Sequence, residues 1–108
     1  MATPPNYRTV RFVASAKSQI FDFASEIVLG IRVPASFVQT SITFEETVDS
    51  TNFNAVADAT NAAIAITVDG STAKTYDLTS VFPACIGKGR LSVSGAITQD
   101  VVIITKGI

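Results

Sequence analysis

The chain has 108 residues, of which 47% are apolar and 16% charged, with a net charge of −1. That length makes one domain with one core. The eight basic and nine acidic residues are scattered almost singly, so no basic stripe recruits nucleic acid, and no apolar run approaches the ~20 residues of a membrane helix. No histidine and a single cysteine, Cys85, exclude Ser-His-Asp and Cys-His catalysis and the usual zinc sites. Cys85, between Ala84 and Ile86, reads as a small buried hydrophobe. Charged residues are scarce against the ~25% average. The surface is therefore dressed in Ser and Thr or partly covered by a partner. The first residues lack the apolar segment of a secretion signal.

Residues 1–6 read as an N-terminal arm, and residues 7–108 as a single domain. Pro4-Pro5 favours an extended path and cannot start a ladder. Residues 7–13 alternate as a first strand, with Arg8, Val10 and Phe12 on one face and Tyr7, Thr9, Arg11 and Val13 on the other. A polar bend over 14–18 precedes a short β-prone run over 19–23. In the next strand Ile27, Leu29, Ile31 and Val33 sit two apart. Gly30 inside it marks a bulge or a close approach of another chain, and Pro34 ends it. Phe37, in the corner that follows, is placed to plug the open end of the core. Ile42, Phe44, Glu46 and Val48 form another period-two run. Asp49-Ser50-Thr51-Asn52 turns it, and Phe53, Ala55 and Ala57 resume the alternation.

Residues 58–61 are the next turn, and 63–68 a strand with Ile64 and Ile66 inward. Asp69-Gly70-Ser71 is an Asp-Gly turn signal. Residues 74–78 form a short strand, and the irregular 80–89 segment offers Val81, Phe82, Cys85 and Ile86 to cap the core. Residues 91–94 and 101–105 read as two last strands, bridged by 95–100. About eight or nine short strands at this spacing predict an all-β fold, an antiparallel β-sandwich or barrel. Its core is expected to hold Phe12, Leu29, Ile31, Phe44, Ile66 and Ile103.

No chemistry-bearing motif stands out, and the chain is expected to be no enzyme and to need no cofactor. Gly87-Lys88-Gly89 is too short for a dinucleotide fingerprint. Glu45 and Glu46 are adjacent on a strand and point to opposite faces, and Glu46 is read as pairing with Arg32 or Arg90. Asp49, Thr51 and Asn52 resemble the start of a calcium loop but lack its later ligands and its glycine, so they read as a turn. With no Trp and two Tyr, aromatic platforms for sugar are few. A glycan would sit near Tyr76 or Tyr7. Pro4, Pro5 and Tyr7 are candidate partner contacts, and Arg8, Arg11 and Arg32 are candidate polar anchors.

Gly30-Ile31 with Pro34-Ala35-Ser36-Phe37, then Ile42-Thr43-Phe44-Glu45, then Asp49, Phe53, Val56 and Asp58, and finally Gln99-Asp100-Val101-Val102-Ile103-Ile104 follow an order of their own. It resembles that of small β-sandwich, jelly-roll-like structural proteins of tailed bacteriophages. The resemblance runs from about residue 18 to the C-terminus. It departs where the family's hairpin turn is glycine-rich and this chain has Ser50-Thr51-Asn52, and again in the scarcity of aromatics after Phe53. It implies a virion protein on the phage head surface that decorates or cements the head. The implied partner is the major capsid protein, and the implied assembly a homo-oligomer, with a trimer favoured at a lattice three-fold. The alternative is a tail or fibre module that binds a host surface glycan.

Overall fold

The computed structural model describes residues 5–23, 26–57, 60–61, 64–78 and 87–107. Expectations for residues 1–4 of the arm, the 24–25 link, Asp58 in its turn, the start of the 63–68 strand, and Val81, Phe82, Cys85 and Ile86 lie outside the described residues. The fold is all-β and antiparallel, as the alternation predicts. The strands are β1 (Asn6–Lys17), β2 (Phe21–Asp22), β3 (Glu26–Val33), β4 (Ser41–Glu46), β5 (Asn54–Ala55), β6 (Ala65–Thr67), β7 (Lys74–Asp77) and β8 (Lys88–Gly107). All belong to one eight-stranded sheet.

β8 is the spine of that sheet. Residues 95–100, expected as a bridge between two strands, are part of one strand of 20 residues. The reason is periodicity: Leu91, Val93, Ile97, Val101 and Ile103 are all buried on the same side, with Gly95 and Gln99 continuing the spacing between them. Along one edge β8 meets β1 at its C-terminal half (Asn6↔Thr105 through Phe12↔Gln99) and β2 at its N-terminal end (Phe21↔Gly89). Along the other edge it meets β4 first (Glu46↔Gly89 to Thr43↔Ser92) and β3 later (Arg32↔Val102 to Glu26↔Gly107). β5 and β6 extend the sheet beyond β4, and β7 extends it beyond β3.

The sheet curls where β8 changes partners. Between Ser15↔Ile97 and Lys17↔Ser92, two steps on β1 oppose five on β8. Ala14 takes a left-handed φ of 48° just before, so the bend expected over 14–18 is a corner within β1 and not its end. On the opposite edge no described strand pairs with β8 between Ser92 and Val102, and the 34–40 loop fills the gap through two glutamines. Gln99 accepts from Val38 N (3.0 Å) and donates to Ser36 O (3.0 Å). Gln39 donates to Gly95 O (3.3 Å) and accepts from Ser94 Oγ (2.6 Å). These bonds stand in for a ladder that would otherwise leave backbone groups unpaired.

Inside the curl lie Phe12, Ile31, Phe44, Ile66 and Ile103, as predicted, together with Val10, Val33, Phe37, Ile42, Leu78 and Leu91. Leu29 is the exception and is only half-buried. The β3–β8 register shifts between Val28↔Thr105 and Gly30↔Ile104, so Leu29 is the extra residue of a bulge and the inward set becomes Val28, Ile31 and Val33. Gly30 is required there: a Cβ would lie 2.7 Å from the Tyr76 carbonyl oxygen. The Asp69-Gly70-Ser71 turn exists but closes no hairpin, because β6 pairs with β4 and β7 with β3. It carries the chain from one side of the curl to the other. Asn6, expected in the arm, already pairs with Thr105 as the first residue of β1.

Gly30→Ala is therefore expected to destabilise the fold by roughly 1–3 kcal/mol, because the obstacle is backbone and cannot turn aside. Urea unfolding would show the midpoint falling with the m-value unchanged.

Candidate interaction face

The period-two rule sorts the predicted contact residues onto two faces. Tyr7, Thr9 and Arg11 point outward from β1, beside Ile104, Val102 and Asp100 of β8. Gly30 and Arg32 of β3 and Asp77 and Thr75 of β7 continue the same two rows. Thus Tyr7, Arg11 and Arg32 share one outer face. Tyr7 is 65% exposed, and the Val102 and Ile104 side chains between it and Arg32 are half-buried. An open depression of about 360 Å³ lies where Leu29, Gly30, Tyr76 and Ile104 meet. Arg11 is paired with Asp100 across the strands at 3.5 Å. Arg32 and Lys106 carry no ion pair among the described residues. Pro5 is exposed just ahead of β1, and Pro4 lies outside the described residues.

Arg8 is not part of this face. It belongs to the inner side with Val10 and Phe12 and closes the end of the core. Glu26 Oε1 accepts from Thr105 Oγ1 (2.7 Å), Asn6 Nδ2 (2.9 Å) and both Arg8 Nη2 (3.0 Å) and Nε (3.3 Å). Thr105 is fully buried, and the Glu26 side chain is 10% exposed. The Thr105 hydroxyl bond, with Arg8 and Asn6 behind it, outweighs burial and holds the Glu26 carboxyl below its ordinary value. Arg8 is thus a structural cation, not a free anchor.

A second polar cluster lies on the outer face of the β4 half. Glu45, not Glu46, pairs with Arg90 (2.6 Å), and it also takes Lys17 Nζ (3.0 Å). Lys17 reaches Ser92 Oγ as well (2.8 Å), and the Arg90 guanidinium sits 3.6 Å from the centroid of the Phe53 ring. Burial pushes the Glu45 carboxyl up, but the bonds to Arg90 and Lys17 bring it below the ordinary range. Asp49 behaves as the turn reading predicts. Its carboxylate accepts from Thr51 N and Asn52 N at 2.9 and 2.8 Å, and from Asn52 Nδ2 at 2.9 Å. No group of three metal-ligating side chains gathers among the described residues.

Tyr76, the other aromatic considered for a glycan, is partly buried. It faces inward opposite Ile31, packs against the core, and its hydroxyl accepts from Asp69 N at 2.8 Å. The outward residues Val102 and Ile104 are absent from the sequence-based contact set. Their signal was present in the unbroken apolar run 101–104, since a strand with one wet face alternates and a strand apolar on both faces does not. Compared with protein-family models, with curated proteins and with solved structures, the chain matches none.

Two outcomes are expected. Glu45→Ala should cost roughly 1–3 kcal/mol, because it strands Lys17 and Arg90 together. Because the Glu26 carboxyl titrates lower in the folded chain than its ordinary value of 4.5, its contribution is complete above that pH and is lost on further acidification. Glu26→Gln should therefore lower Tm at neutral pH. The gap to wild type should narrow as the pH falls below the carboxylate range, as thermal melts across a pH series would read.

Proposed function

We propose that this chain is a virion structural protein of tailed-phage type, a head decoration or cement protein that docks on the major capsid protein through the outer β1–β8–β3 face. The observation that carries the reading is that face itself: exposed Tyr7 and half-exposed Val102 and Ile104, bordered by Arg32 and Lys106, which carry no ion pair among the described residues. Large exposed aromatics and arginines beside apolar residues are the composition of docking surfaces. The residues that carry the phage resemblance support it from the inside. Gly30 makes the bulge, Pro34 and Phe37 make the corner, Asp49 makes the turn, and Gln99 ties the corner to the spine.

A protein of this kind acts by binding the assembled shell and not the free subunit, so it stabilises the shell by mass action. It needs surface match and no reactive group.

The test is co-sedimentation with heads of the phage whose genome carries this chain. Wild type should pellet with heads and saturate. The Arg32→Glu/Val102→Thr variant, which leaves the inner face untouched, should bind at least about tenfold more weakly, the effect of losing one or two anchor contacts. Equal binding by the variant, or no binding by wild type, would remove the reading.

A further inference from the structure

One edge of β1 is open among the described residues. In an antiparallel ladder, successive residues turn their N–H and C=O alternately toward the partner strand and away from it. Arg11 turns both away from β8: its C=O accepts from Gln19 N at 2.9 Å, and its N–H donates to Gln19 Oε1 at 3.2 Å. The β1–β8 register is unbroken from Asn6 to Phe12, so Thr9 and Tyr7 are in phase with Arg11 and also point their backbone groups outward. β1 pairs with no described strand other than β8. Gln19 closes the edge at Arg11, and among the described residues nothing pairs with it at Tyr7 and Thr9.

We infer that β1 pairs with β1 of a second copy of this chain, edge to edge and antiparallel, about a two-fold axis at Tyr7. The inference concerns the chain's own edge and does not rest on the head reading; it replaces the expected three-fold association with a two-fold one. Registers with the axis further along β1 are disfavoured. An axis at Arg8 sets two arginines directly opposite each other, which is destabilising. Axes at Thr9 or Val10 need the Arg11 backbone groups that Gln19 already holds. An axis at Tyr7 sets Tyr7 opposite the partner's Tyr7, Asn6 opposite the partner's Arg8, and Thr9 opposite the partner's Pro5. Thr9 donates its N–H to that proline's carbonyl, and the ladder ends there because proline has no N–H to return.

The side chains complement this register on both faces. On the outer face Ile104 lies beside Tyr7, so pairing makes an apolar stripe of two tyrosines flanked by two isoleucines. On the inner side Asn6 sits against Glu26. All four described donors to that carboxylate converge on Oε1, which leaves Oε2 for the partner's Arg8. Cations and carboxylates then alternate across the axis.

Disulfide trapping tests the register in a Cys85→Ser background, with single cysteines at Tyr7, Arg8, Thr9 and, as an exposed reference, Val13, which is 70% exposed. Opposed residues whose N–H and C=O face each other lie ~5.5 Å apart at Cα, within disulfide reach. Tyr7→Cys should therefore give covalent dimer at least about tenfold faster than Val13→Cys, the measure of random collision. Adding Thr9→Pro to Tyr7→Cys should return the rate to that background, while circular dichroism stays that of the folded chain, because the Thr9 N–H takes no part in the β8 ladder. Fastest trapping at Arg8→Cys or Thr9→Cys, or a Tyr7→Cys rate no higher than that of Val13→Cys, would overturn the proposal.

Discussion

The fold depends on one strand keeping its side-chain phase for 20 residues while its neighbours change. β8 buries one side from Leu91 to Thr105. It takes β4 and then β3 on one edge, and β2 and β1 on the other. A phase slip anywhere along it would turn half of the core residues to solvent. The irregularities are therefore placed in its partners: the bulge at Leu29 and the left-handed Ala14 absorb the curl that β8 passes through. The 34–40 loop covers the length where no strand can follow, and Gln39 and Gln99 supply the bonds that a strand would have made.

Charge is used sparingly and mostly for closure. Glu26 with Arg8 seals one end of the core, and Glu45 with Lys17 and Arg90 braces the outer side of the β4 half. Asp69 with Lys74 holds the turn that crosses the curl. The surface that remains is built of hydroxyls, small residues and a few exposed apolar side chains. On one outer face Tyr7, Val102 and Ile104 lie between Arg11, Arg32 and Lys106.

Much of this was legible in the sequence, and the failures are physical. Alternation placed Phe12, Ile31, Phe44, Ile66 and Ile103 correctly because each lies in a regular stretch of ladder. Pro34 and Phe37 were legible because a missing N–H and a large apolar side chain in a corner have few other uses. Leu29 was misplaced because one extra residue reverses parity, and Gly30 signals a bulge without saying which neighbour is extruded. Residues 95–100 read as a bridge because Gly95 and Gln99 occupy inward positions, where the glutamine serves the 36–38 backbone instead of the apolar core. The Asp69-Gly70 signal was true of the turn and silent about pairing, which is decided by strands far away in sequence. Alternation already set Arg8 on the face of Val10 and Phe12, apart from Arg11, but its partners Glu26 and Thr105 are brought to it by no local pattern.

The position of β8 along the chain also has a consequence for biogenesis. The strands it organises all precede it, so β1 and β2, and the β8-facing edges of β3 and β4, stay without their ladders until the spine has been made, while the β3–β7, β4–β5 and β4–β6 pairings need no part of it. During synthesis β1, β3 and β4 each emerge with an edge whose partner lies some 40 to 100 residues behind it. A chain built this way completes its core late. Its most vulnerable moment is the interval before the spine arrives, when its unfinished strands are open to neighbouring nascent chains.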